Sequence, residues 1–140
     1  MIRTILVAAG VAVLTAGCNG FVTATPTPSP SGPPTATEVL AEKVASEQLT
    51  KVCTDAPSSQ ICPAVNKKAD GSWDITAASR ILTVQTSIRP NQFSVTFAQN
   101  ACVLFADWVR DPDTQKPLDM IGVIIQSGEL MMANCRLPKT

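Results

Sequence analysis

Histidine and tyrosine are absent from the 140 residues, and four Phe and two Trp supply all the aromatic rings. Without imidazole the chain has no route to Ser-His-Asp or Cys-His nucleophilic catalysis, and no His-ligated metal site. An excess of either charge is also missing: eleven Lys and Arg balance eleven Asp and Glu. A nucleic-acid-binding domain carries a basic excess, so nucleic acid is excluded as a partner on this reading. No apolar run reaches the ~20 residues that a membrane-crossing helix needs. A chain this short makes one folded domain.

What is present begins at the N-terminus. Met1-Ile2-Arg3 precedes the uncharged run TILVAAGVAVLTA, residues 4–16. A basic start, a short apolar middle and small residues before a cut site describe a secretory leader. Leu14-Thr15-Ala16-Gly17-Cys18 resembles the lipobox of bacterial lipoproteins. The resemblance implies that residues 1–17 are a signal peptide, that Cys18 takes a diacylglycerol thioether, and that the new amino group is acylated, with palmitate as the expected label. Asn19 rather than Asp follows the cysteine. By the Gram-negative lipoprotein rule this implies the outer membrane, with the domain facing the periplasm. Each buried methylene is worth about 0.8 kcal/mol, so two or three acyl chains on one cysteine make a near-permanent membrane anchor.

Residues 18–37 read as a tether. Five of the eleven prolines (Pro26, Pro28, Pro30, Pro33 and Pro34) fall here among Thr, Ser and Gly, and no charge occurs between Arg3 and Glu38. Alternating proline removes backbone donors and favours an extended, solvated chain of about 3.1 Å per residue. A spacer is the preferred reading over a Pro-rich ligand, because no basic residue flanks the repeats.

Residues 38–140 hold 26 Leu, Ile, Val or Phe, enough for one modest core. Thr35-Ala36-Thr37-Glu38 has capping-box spacing and predicts a helix start, with Leu40, Val44, Leu49 and Val52 as its apolar stripe. A short helix is predicted over 57–68. Asp74 is the expected cap of a third helix carrying Ile75, Ala78, Leu82 and Ile88. Its β-branched second half, ILTVQTSI, also fits a strand, so residues 81–88 stay open. Asn91 is the expected cap of a helix with Phe93, Phe97, Ala101, Leu104, Phe105 and Trp108 on one face, stopped at Asp111-Pro112-Asp113. Ile121, Ile124, Ile125 and Met132 then predict a last helix from Leu118. No Asn-Gly hairpin signal is seen. The expected fold is all-α or mostly α: a small disulfide-stapled bundle of four to five helices behind the tether.

With Cys18 assigned to lipid, Cys53, Cys62, Cys102 and Cys135 form an even set in an exported chain, which predicts two disulfides. Three connectivities are possible. The short Cys53 to Cys62 separation favours local closure, leaving Cys102 with Cys135. That second pair fits a straight helical hairpin poorly, unless the chain folds back at Gly128. Zinc and thiol catalysis lack a C-x-x-C motif and a His partner.

Other candidates for chemistry are few. Asp107, Asp111, Asp113 and Asp119 read as a solvated acidic loop, since Lys116 and Gly122 occupy the places a calcium loop gives to glycine and glutamate. Lys67-Lys68 is read as a basic pair at a helix end. Trp73 lies beside the Asp70-Gly71 turn, where it either packs over the domain or contacts a partner. The expectation is a non-enzymatic, cofactor-free envelope lipoprotein whose domain binds an envelope protein or a cell-wall partner. The alternative is a phage or mobile-element lipoprotein for lysis or exclusion. Residues 1–37 are similar in composition to the outer-membrane partner of a phage spanin pair.

Overall fold

The computed structural model describes residues 32–137. The lipobox, Cys18 and the tether up to residue 31 lie outside the described residues. From Pro33 onward the chain forms one unit. Its elements are α1 (Ala36–Asp55), α2 (Ile61–Ala64), β1 (Ile75–Ala78), β2 (Ile81–Thr86), α3 (Gln92–Trp108), β3 (Gly122–Ser127) and β4 (Leu130–Arg136).

The strands form one mixed sheet in the order β1-β2-β3-β4. β1 and β2 pair antiparallel, as do β3 and β4. The central β2 and β3 run parallel, which requires a crossover, and α3 supplies it. The expected helical bundle is therefore wrong: the domain is an α/β fold with three helices among the described residues. α1 packs on β1 and β2, and α3 on β3 and β4. Ile75, Ala77, Leu82, Val84, Val123, Ile125 and Ala133 are buried and alternate along their strands. Thr76, Thr83, Gln85, Ile124, Gln126 and Asn134 occupy the intervening places on the other face, where Gln85 Nε2 donates to Gln126 Oε1 at 2.7 Å.

Two predicted helices are thus hairpins, and the reason is tertiary. Residues 75–88 and 121–132 contain enough branched apolar residues to satisfy both a 3.6 and a 2.0 period over short windows. The deciding signal is the turn. Ser79 and Arg80 link β1 to β2 with φ of 53° and 63°, a conformation that local sequence preference assigns to Asn or Gly. Long-range contacts hold it here. The Arg80 backbone N–H donates to Glu38 Oε1 at 2.9 Å, and the Arg80 side chain reaches the Asp119 carbonyl at 3.2 Å and pairs with the Asp119 carboxylate. In the β3–β4 hairpin Gly128 takes φ of 63° at the first turn position. The glycine that weakened a helix reading is the residue this turn requires. Asp74 caps no helix, and residues 81–86 are strand.

The two long helices begin where their caps predict. Thr35 and Glu38 form a reciprocal capping box, and Asn91 accepts from Phe93 and Ser94. The buried Glu38 carboxylate sits below the usual carboxylate range, because the Thr35 and Arg80 backbone N–H groups donate to its ionised form. The helix faces differ from the prediction in detail. On α1, Ala41 and Ala45 are fully buried with Val44 and Leu49, while Leu40 and Val52 are only partly covered. On α3 the buried side is Ser94, Ala98, Ala101, Cys102 and Phe105, whereas Phe93 is 77 % exposed. Small residues let each helix approach the sheet closely: on α3 the buried stripe runs through Ala98, Ala101 and Cys102, with Phe105 the one fully buried ring. The helix expected over 57–68 is a single turn, Ile61–Ala64.

Both disulfides are formed, Cys53–Cys62 and Cys102–Cys135, with Cα separations of 5.6 Å and 5.9 Å. The geometric objection to the second pair assumed two antiparallel helices. It disappears because α3 lies over β4, bringing Cys102 directly above Cys135.

Candidate binding groove

Trp73 is the one sequence-predicted contact residue that the fold builds into a concavity. The Cys53–Cys62 bridge ties the end of α1 to α2. The chain then returns along α1 in a small ladder: Asn66 N–H donates to the Gln85 carbonyl at 2.8 Å and Asp74 N–H to the Asn66 carbonyl at 2.9 Å. Lys67 and Trp73 face each other across this ladder. Its tip is closed by Lys68 N–H to the Ser72 carbonyl at 2.8 Å, with Gly71 at φ of 88°. Asp70 accepts from the Ser72 hydroxyl and N–H, which holds its carboxyl below the usual range. Composition alone marked Asp70-Gly71 as a turn; the ladder it closes was not visible in the sequence.

The Trp73 ring is neither fully buried nor loose. Its Nε1–H donates to Thr50 Oγ1 at 3.0 Å, and the Thr50 hydroxyl donates on to the Ser46 carbonyl at 2.8 Å. The Lys67 ammonium lies 4.7 Å from the ring centroid, within range of a cation–π attraction. Lys67 and Lys68 end no helix, because the helix expected over 57–68 stops at Ala64; Lys67 lies instead on the ladder, over the Trp73 ring. Ser46, Thr50, Thr54, Lys67, Gly71 and Trp73 line a groove of about 570 Å³ between α1 and the ladder. Thr50 carried no detectable signal in the sequence, since a threonine on an exposed helix face is ordinary. The groove offers an oriented indole, the hydroxyls of Ser46, Thr50 and Thr54, the Lys67 ammonium and the Glu47 carboxylate.

The indole–hydroxyl link makes a testable statement. Trp73→Phe and Thr50→Val should each lower stability by about 0.5–1.5 kcal/mol in urea unfolding. The double variant should lose less than the two single losses together, because each removes the same hydrogen bond. Additive losses would mean that the bond contributes nothing.

The acidic candidates are dispersed. Asp107 pairs with Arg110 at 3.1 Å and Asp119 with Arg80. Asp111 accepts from the Thr114 and Asp113 backbone N–H groups at 3.0 Å and 2.8 Å, which keeps its carboxyl low. Asp113 is on the same turn. The side chain of Asp111 therefore closes its own loop. Among the described residues no group of three or more His, Cys, Asp or Glu is arranged to hold a metal, and no helix is long and apolar enough to cross a membrane. Trp108, read as plain core, is only partly covered, with its ring edge-on to Phe105 at 5.0 Å. Compared with protein-family models, curated proteins and solved structures, the chain matches none.

Proposed function

We propose that this chain is a bacterial envelope lipoprotein, held by acyl groups on Cys18 at the outer membrane and facing the periplasm. Its α/β domain is a non-enzymatic binding module that reaches an envelope protein or cell-wall partner on the Pro-rich tether. The observation that carries the binding role is Trp73, an aromatic ring held in one orientation by Thr50 and Lys67 at the wall of an open groove. A partly exposed aromatic whose rotamer is already restricted loses little entropy on binding, which is why such residues dominate interface energies. Two disulfides suit an oxidising compartment outside the cytosol.

The anchor is tested by metabolic labelling with a palmitate analogue. Wild-type chain should label and partition with membranes, and Cys18→Ser should reduce labelling to background and leave the leader uncleaved by lipoprotein peptidase. Persistent labelling of that variant would overturn the anchor. For the groove, photo-crosslinking from position 54 in living cells should capture a partner with wild-type chain and lose it with Trp73→Ala. Unchanged capture would remove Trp73 from the contact.

A further inference from the structure

The two edges of the sheet are treated differently. β1 is four residues long, and the carboxylate of Glu42 on α1 accepts from the Ala77 backbone N–H at 2.6 Å. That edge is short and blocked. β4 is seven residues long and contains no proline; no described residue pairs with its outer side. An open edge strand is a template for another strand. Leu130 and Met131 at its start are half exposed.

The helix above this edge continues the same surface. α3 overhangs β4, and Val103 and Ala106 share a groove of about 430 Å³ with Cys135, Arg136 and Leu137. By helical spacing Val95 extends that flank. Val95 and Val103 are 43 % and 63 % exposed, an unusual use of β-branched residues on a helix surface, where they add nothing to helix propensity.

We propose that β4 pairs antiparallel with β4 of a second copy, giving a continuous eight-stranded sheet in which the α3 helices pack across the dyad through Val95, Val103 and Ala106. Glu129, in the turn that precedes β4, and Arg136, the last residue of β4, select a second copy of the chain as the occupant. β4 carries a bulge, since Ile125 faces Ala133 while Gln126 faces Met131, leaving Met132 as the extra residue. With the pairing centred on Ala133 and the bulge counted as one place, Glu129 of each copy falls opposite Arg136 of the other. The two-fold axis makes this contact twice. Both residues are exposed, and neither has an ion pair among the described residues. An isologous contact of this kind closes on itself and does not propagate.

The test is sedimentation velocity of the purified full-length chain in density-matched detergent. The wild type should shift from monomer to dimer as concentration rises. Glu129→Arg and Arg136→Glu should each raise the dimer dissociation constant about tenfold, by turning two attractions into two repulsions. The double charge swap should restore wild-type dimerisation, which no folding defect would do. Unchanged thermal melting of each variant shows that the fold is intact, and protection of β4 amides in hydrogen exchange should rise with concentration only where the dimer forms. A chain that stays monomeric up to about 100 μM overturns the proposal. So does a dimer indifferent to both single reversals, or one that the swap does not restore. A monomer whose β4 edge is instead occupied by a foreign peptide would likewise replace a second copy with another partner.

Discussion

Phe105→Ala is expected to destabilise the domain by about 3–5 kcal/mol, the range for removing a fully enclosed aromatic ring. Phe105 is completely buried on the sheet side of α3. Ala98, Ala101 and Cys102 beside it on that face are small, so the ring is the main volume between this helix and the sheet. Truncation would leave a cavity that β-sheet and disulfide-tied helix cannot readily close. It would also remove the edge of contact for Trp108, whose ring lies 5.0 Å away. Trp108→Ala should cost less, because that ring is only partly covered and its loss is partly filled by solvent. Urea unfolding of both variants decides the order. A larger loss from Trp108 would mean that the core under the last turn of α3 is centred on Trp108 rather than on Phe105.

Removing the Cys102–Cys135 bridge should cost about 3–4 kcal/mol, and removing Cys53–Cys62 about 3 kcal/mol or less. The difference follows from the closed loops: the first bridge spans 33 positions and the second 9, and a longer loop leaves the unfolded chain more freedom to regain. The first bridge also joins α3 to the edge strand of the sheet, so its loss loosens two layers at once. Cys102→Ala/Cys135→Ala and Cys53→Ala/Cys62→Ala compared by denaturant midpoint test the ranking. Against a total stability of about 5–15 kcal/mol for a domain of this size, the first bridge is a large share of what holds the fold together. Equal losses would show that residual structure in the unfolded state, rather than loop length, sets the contribution.

The contrast between helices and hairpins explains what could be read in advance. Thr35, Glu38 and Asn91 announced helix starts because a cap is a local device, complete within four residues. The two bridges were legible in part: an even count of four and one short separation favoured Cys53 with Cys62, while Cys102 with Cys135 fitted the expected helical hairpin poorly and is explained only by the sheet. The β1–β2 turn was not legible. Ser79 and Arg80 are poor hairpin residues by themselves, and they hold positive φ because Glu38 and Asp119, 42 and 39 positions away, satisfy Arg80. The groove had the same character. Trp73 drew attention as an aromatic beside a turn, but its orientation depends on Thr50, 23 residues earlier on another element.

Sequence by itself determined the starts of both long helices and the presence of two bridges, whereas the address segment is an expectation that labelling at Cys18 tests. Each of these depends on residue identity or on spacing within one turn. Only the tertiary structure decided that the apolar residues of 75–86 and 121–136 alternate across a sheet instead of lining helices. Only it decided which face of α3 is buried, and that the sheet has one blocked edge and one open edge. The physical reason is that a short run rich in Ile, Val and Leu buries its side chains equally well in either geometry. The choice falls to contacts between distant residues: the carboxylates of α1 against the β1–β2 hairpin, and α3 tied across β4 by Cys102.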